Sequence, residues 1–269
     1  MKIACVLATR GRPKQAMAVI EVAKALSSGR HELEFIVCCD DDDHETQDRL
    51  SEYRISVEPS PIYLGEVWNR GCEKIEADIY CPLPDDSFIA CPDWDELIVT
   101  ALSGTRIKVI GWNDRANPGL MTLPIIGREW YDAAGLYPAI FPYWFYDTWV
   151  AEVYSFVTGQ MPYLPDPLVL TAKKGKTQRM RDLDFWWDVF SKLRPVRIQG
   201  AARLRALFNQ TTDPEAINRV IGAWEHRDFV LKARIPQMQA LMADESQMPN
   251  ERYMEAKRAA ENLIADLAG

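Results

Sequence analysis

From residue 2 to residue 126 the chain alternates short apolar runs with apolar stripes at helical spacing, a pattern few folds accept. Residues 2–8, 33–39 and 78–83 read as strands. After Pro13, which suits a first helical turn, Ala16, Val19, Ile20, Ala23 and Leu26 share one face, and Gly29 is a stop. Leu64, Val67, Trp68, Gly71, Cys72 and Ile75 form a second helical stripe. Residues 93–102 continue as a helix, 106–112 and 120–126 as strands, and 128–135 as a short helix. This alternation predicts an α/β fold, a mainly parallel sheet with helices on both faces. Such sheets bind ligands at the carboxyl ends of their strands.

Three polar clusters fall at those ends. The first run ends in Thr9-Arg10-Gly11-Arg12-Pro13, where a strand end and a helix start favour anions; the alternative is a solvated basic turn. The second ends in Asp40-Asp41-Asp42-Asp43, which invites a cation or hydrogen-bond donors, or else is a solvated loop capping a helix. The third ends in Pro84-Asp85-Asp86-Ser87. Two acids at the end of a buried strand suit a hard divalent cation carrying phosphates, although the same four residues are good turn chemistry. The convergence of all three predicts one phosphate-and-metal site.

The second half of the chain is different. Residues 137–149 are aromatic and lead into Tyr146-Asp147-Thr148-Trp149, where Asp147 reads either as a helix cap or as a general base among aromatic walls. Residues 172–205 hold ten basic residues (Lys173, Lys174, Lys176, Arg179, Arg181, Lys192, Arg194, Arg197, Arg203 and Arg205) against three acids. The net charge of −8 argues against a nucleic-acid coat for the chain as a whole, so this basic segment stands out. Helices follow from Asp213-Pro214-Glu215, with a break or kink expected at Pro236, and over residues 251–267. The expected division is a domain over residues 1–171 and a basic, helical extension over 172–269. The six cysteines sit mostly in apolar runs without a Cys-x-x-Cys pair and read as buried thiols of a reducing, cytoplasmic protein. No apolar run reaches the roughly 18 residues of a membrane span. The amino terminus runs straight into a strand rather than a signal peptide.

Taken in order, these residues resemble the GT-A glycosyltransferases, in particular the inverting family 2-like enzymes, including small phage and bacterial members. Val6 to Pro13 looks like that family's first strand and nucleotide-side loop, and Asp40-Asp41 like the acids that contact the nucleoside. Asn69-Arg70-Gly71-Cys72 resembles the helix before the metal motif, and Leu83-Pro84-Asp85-Asp86 the motif itself. Tyr146-Asp147-Thr148-Trp149 looks like the segment bearing the base. The resemblance implies a GT-A fold over about residues 1–175 and inverting transfer from a nucleotide-diphosphosugar, foremost a UDP-sugar. Mn2+ or Mg2+ would sit at Asp86 and Asp85, and Asp147 would be the base. Thr9, Arg10, Arg12, Asp40, Asp41, Asn69, Asp85, Lys173 and Lys176 would hold the donor. Many members carry a late histidine; here the matching stretch reads Lys173-Lys174-Gly175-Lys176. The alternatives are a sugar-1-phosphate nucleotidyltransferase, whose first loop is usually richer in glycine, and a degenerate nucleotide-sugar-binding module. DNA is a candidate acceptor for the basic segment, and a second copy of the chain a candidate partner for the C-terminal helices.

Overall fold

The computed structural model describes residues 1–59, 63–114, 119–166, 168–172, 182–241 and 251–268. Its first strand, β1 (Lys2–Ala8), is apolar on both faces, and Ile3 to Leu7 are fully buried, as expected of an inner parallel strand. It pairs in parallel with β2 (Glu32–Asp40) and β4 (Ile79–Pro84), so that Cys5 faces Phe35 on one side and Cys81 on the other. Between these come α1 (Pro13–Ala25), α2 (His44–Arg49), β3 (Arg54–Glu58), which adds in parallel outside β2, and α3 (Leu64–Glu73). The rest of the sheet comprises β5 (Ser87–Ile89), β6 (Val109–Asp114), β7 (Met121–Gly127) and β8 (Val169–Ala172), with α4 (Trp94–Ser103) and α5 (Arg128–Ala134) between them in sequence. The order is β3-β2-β1-β4-β7-β6-β8-β5.

Beyond β4 the sheet changes direction: β7 is antiparallel to both β4 and β6, and β5 is antiparallel to β8. The connection from Asp114 to Met121 is too short for the crossover that a parallel pair requires. Helix packing on the parallel half is close. A Cβ on Gly71 of α3 would lie 2.4 Å from Val6 Cγ1 and 2.5 Å from Cys38 Sγ, so only glycine lets α3 approach β1 and β2 this far. Trp94 Nε1 donates to the Ala23 carbonyl (2.8 Å), tying α4 to α1. All six cysteines are buried and unpaired with one another.

The chain divides into two compact units, Met1–Tyr137 with Pro162–Gly175, and Pro138–Met161 with Lys176–Gly269. The second contains α6 (Tyr146–Thr158), α7 (Leu183–Lys192), α8 (Arg194–Leu207), α9 (Pro214–Leu241) and α10 (Glu251–Ala268). Helix α6 is its core element, buried at every position from Val150 to Val157. Pro236 lies inside α9, which continues past it to Leu241. The amide it lacks would have bonded the carbonyl of Lys232, an exposed residue whose carbonyl water can satisfy. Among the described residues no helix is long and apolar enough to cross a membrane.

Candidate functional site

The carboxyl ends of β1, β2 and β4 are tied together by side chains. From β4, Asp85 is 2 % exposed; its Oδ2 accepts from Thr9 Oγ1 (2.7 Å) and its Oδ1 from Arg12 Nη2 (2.6 Å). From β2, the buried Asp40 pairs with Arg10, whose Nη2 also donates to Asp42 Oδ2 (2.9 Å). Asp43 closes the set. Its Oδ2 accepts from the Gly11 amide (2.6 Å), and its Oδ1 from Thr46 N at the start of α2 (3.3 Å). Gly11 has φ +64°, a conformation that favours glycine. The loop from Thr9 to Arg12 is thus held by acids on both sides.

These contacts define what each predicted residue can offer. Arg10 is ion-paired to acids of β2 and the loop that follows it. Arg12 spends Nη2 on Asp85, while its Nη1 is buried without a hydrogen-bond partner among the described residues. Asp85 has both oxygens engaged. Burial pushes its pKa up to about 6 and Asp86 adds to the rise, while Thr9 and Arg12 oppose it. Asp86 is half-buried, with Ser87 Oγ at 3.4 Å from its Oδ1. Asp41 is exposed, and its amide donates to the Glu58 carbonyl. Asn69 commits its amide at both ends to the backbone of Tyr137, donating to the carbonyl and accepting from the N–H (both 3.0 Å). Lys173 and Lys176 lie outside the described residues. β8 ends at Ala172, opposite Ser87 in the register.

Among the described residues no three His, Cys, Asp or Glu side chains converge as a metal cluster. The donor set fits a Mg2+- or Mn2+-type site that takes one carboxylate from the protein and its remaining ligands from phosphates and water. Asp86, half-buried and without an ion pair among the described residues, is a carboxylate of this rim that could serve.

In the second unit Asp147 lies in the first turn of α6, not at its cap. Phe145 occupies the cap position at φ +70°, rare for an aromatic residue. Asp147 Oδ1 accepts from the Thr148 amide (2.6 Å) and hydroxyl (3.2 Å). Burial raises its pKa above the usual carboxylate value, against the pull of Thr148 and of the Arg227 charge. The aromatic stretch before it packs largely into the unit's own core. Phe145 stacks on Phe190 (4.9 Å, 22°), and Phe141 meets Trp149 and Trp186.

The basic segment has a structural use that charge counting missed. Arg194 and Arg197 reach buried Glu152, Arg205 donates to the Phe156 carbonyl, and Lys192 pairs with Asp188. Of its five described members only Arg203 has no such partner. A lone glutamate inside an otherwise apolar helix was the available signal for this network.

A cleft of about 690 Å³ opens at the other end of the parallel strands, beside Lys2, Tyr80 and Tyr131. Its basic residues are already paired: Lys2 and Arg54 with Glu34, Lys74 with Glu58, and Arg128 with Asp132. The rim that holds Asp85 and Asp86 is therefore the stronger candidate.

Asp85 makes a pH prediction. Its folded-state pKa, about 6, lies above the ordinary 3.8, so the folded state binds the proton more tightly. Its contribution to stability is therefore present below pH 3.8 and lost as the pH rises through 6. The change is roughly 3 kcal/mol at 1.36 kcal/mol per pH unit. Asp85→Asn should flatten the melting temperature across that window. Thermal melts of both proteins at a series of pH values check this, and parallel curves would contradict it.

No protein-family model matches the sequence, and no curated protein does. Solved structures match the fold. A mannosyltransferase from Pyrobaculum calidifontis, solved with GDP-Man and Mn2+, superposes with TM-score 0.59 at 11% identity, over 99% of this chain and 86% of its own. Glucosyl-3-phosphoglycerate synthase from Mycobacterium tuberculosis, solved with Mn2+, UDP and phosphoglyceric acid, gives 0.53 at 16% identity, over 73% and 78%. S. aureus TarS gives 0.52 at 11% identity, over 72% of this chain and 40% of its own. The chain has the GT-A glycosyltransferase fold.

Proposed function

We propose that this chain is an inverting glycosyltransferase that moves a sugar from a nucleotide-diphosphosugar to an acceptor hydroxyl. The observation that carries the reading is the tied rim of the sheet. It fixes the Thr9–Arg12 loop and leaves one carboxylate, Asp86, and one buried donor, Arg12 Nη1, uncommitted to strong partners. A carboxylate beside a spare guanidinium N–H suits a diphosphate and its counter-cation. Support comes from the neighbours, whose structures hold GDP-Man or UDP together with Mn2+.

Asp86 is the proposed metal ligand. A divalent cation bound there supplies charge neutralisation of the departing diphosphate. Arg12 Nη1 donates to a phosphate oxygen, and Asp85 acts through Arg12, holding the guanidinium in place. Asp40 and Asp43 fix the loop through Arg10 and Gly11. Asp147, with Oδ1 occupied by Thr148, takes the acceptor's proton on Oδ2, and its raised pKa makes it a better base. A single base and direct displacement give inversion.

The test is a panel of UDP- and GDP-sugars with and without Mn2+, read by thermal shift and by donor hydrolysis. One nucleotide sugar should raise the melting temperature only with the metal, by an amount equivalent to about 2.7 kcal/mol at 100 times its Kd. It should also be slowly hydrolysed. Release of pyrophosphate from a nucleoside triphosphate and a sugar-1-phosphate would identify a nucleotidyltransferase instead. No stabilisation and no turnover with any donor would refute the reading.

A further inference from the structure

We propose that Asn69 is a positioning residue for the reaction: it pins the main chain at Tyr137, the point from which the segment bearing the proposed base departs. This rests on the function proposed above, with Asp147 as base, and adds to it a residue that acts without touching donor or acceptor.

Tyr137 is the last residue of the first unit before the chain enters the second at Pro138. It lies outside helix and strand, so its main-chain groups must find partners elsewhere. One side chain supplies both. Asn69 Nδ2 donates to the Tyr137 carbonyl, and Asn69 Oδ1 accepts from the Tyr137 amide, each at 3.0 Å. The amide group thus takes the place of a neighbouring strand, donor to carbonyl and acceptor to N–H. The Tyr137 ring packs against that of Trp68, with centroids 5.7 Å apart, and both residues are buried.

The clamp stands on a fixed base. Trp68 Nε1 donates to the Leu83 carbonyl (3.3 Å), just ahead of Asp85 and Asp86, and Gly71 lets α3 seat against Val6 and Cys38. Asn69 is therefore carried by a helix tied to β1, β2 and β4, the strands whose ends form the rim. The place where the chain returns is held differently. There the Gly111 amide donates to the Tyr163 carbonyl (3.1 Å), a bond that does not depend on side-chain identity. The exit is where one side chain decides. From it the chain runs through residues 138–146 to Asp147. A slack exit lets the start of that segment shift, and misplacement by about 1 Å can cost about 10²-fold in rate. The proposed donor contacts, Asp86 and Arg12, lie outside the clamp, so donor affinity is spared.

The experiment follows donor hydrolysis by the full-length protein, with Mn2+ and the nucleotide sugar found by the panel. Water then takes the place of the acceptor hydroxyl. Asn69→Ala should lower kcat by about 10- to 100-fold while the donor KM stays within about twofold. Hydrogen exchange at the Tyr137 amide should be faster in the same variant, which reads the clamp without any substrate. Asn69→Asp is the conservative variant. Ionised, its carboxylate faces the Tyr137 carbonyl and cannot donate, so it should be as slow as alanine. Protonated, it donates through O–H and accepts through C=O as the amide does, so its kcat relative to wild type should recover as the pH falls. Melting curves set an assay temperature at which every variant is folded. A KM that rises while kcat holds would make Asn69 a donor contact and overturn the inference. Unchanged kcat, unchanged exchange at Tyr137, or no acid recovery in Asn69→Asp would also overturn it, and donor turnover by the wild type would show that the proposed function stands. Absence of binding and turnover with every nucleotide sugar would refute the proposed function, and this role with it.

Discussion

Glu152→Ala is expected to cost about 3–5 kcal/mol of stability and to lower the melting temperature by roughly 10 °C. Glu152 is fully buried in α6, with Oε1 on Arg194 and Oε2 on Arg197. Arg197 is also 0 % exposed. Its guanidinium lies 3.8 Å from the centroid of the Phe190 ring, and its Nη1 donates to the Phe190 carbonyl (2.6 Å). Burial has already brought its pKa down to about 10, even with Glu152 beside it. Without the glutamate the buried cation keeps no ion pair among the described residues, and that is more costly than losing an ion pair in water. Glu152→Gln, which keeps an acceptor but loses the charge, should fall between wild type and alanine. Glu152→Met combined with Arg197→Met should recover most of the loss, because an apolar pair removes the desolvation cost along with the attraction. Calorimetric melts of the four proteins test the series. An alanine variant melting within about 1 °C of wild type would mean that this network does not hold the helices together.

The same network shows where sequence reading stops. Strands β1 and β4 and helices α1 and α3 were legible because continuous apolar runs and clean stripes have few other uses. β3 was missed because Arg54-Ile55-Ser56-Val57-Glu58 is an edge strand whose charged and small residues break the apolar run. β8 was missed because it is four residues long and owes its place to pairing with β5 and β6, which no local pattern announces. Strands β6 and β7 were legible as strands, but the antiparallel turn of the sheet was not. At the rim, the order of strands and loops was enough to bring Arg10, Arg12, Asp40 and Asp85 together. It did not reveal that both arginines would be held by those acids. Arg197 and Arg203 lie on one helix and count alike in a charge tally, yet one is fully buried and the other exposed. Partner choice over separations of 30 to 80 residues, such as Arg10 with Asp42 or Thr9 with Asp85, is set by tertiary structure.

Asp86→Ala and Asp147→Asn should each reduce sugar transfer by about 10²- to 10⁴-fold or more, but for different reasons. Asp86 is the proposed metal ligand, so its loss should remove the Mn2+-dependent rise in melting temperature caused by the nucleotide sugar. Asp147→Asn keeps the shape of the side chain and an acceptor for Thr148, so that rise should persist while transfer is lost. The pH dependence separates them further. In the proposed mechanism the carboxylate form of Asp147 is the active one, and burial holds its folded-state pKa above the ordinary 3.8. Transfer should therefore fall on the acid side at a pH higher than an exposed aspartate would give. Arg227 favours the charged form of Asp147, so Arg227→Gln should move that fall to still higher pH. Near wild-type turnover in Asp147→Asn would place the base elsewhere. Unchanged metal-dependent donor binding in Asp86→Ala would place the cation elsewhere, and the two results are independent because one reads proton transfer and the other reads binding.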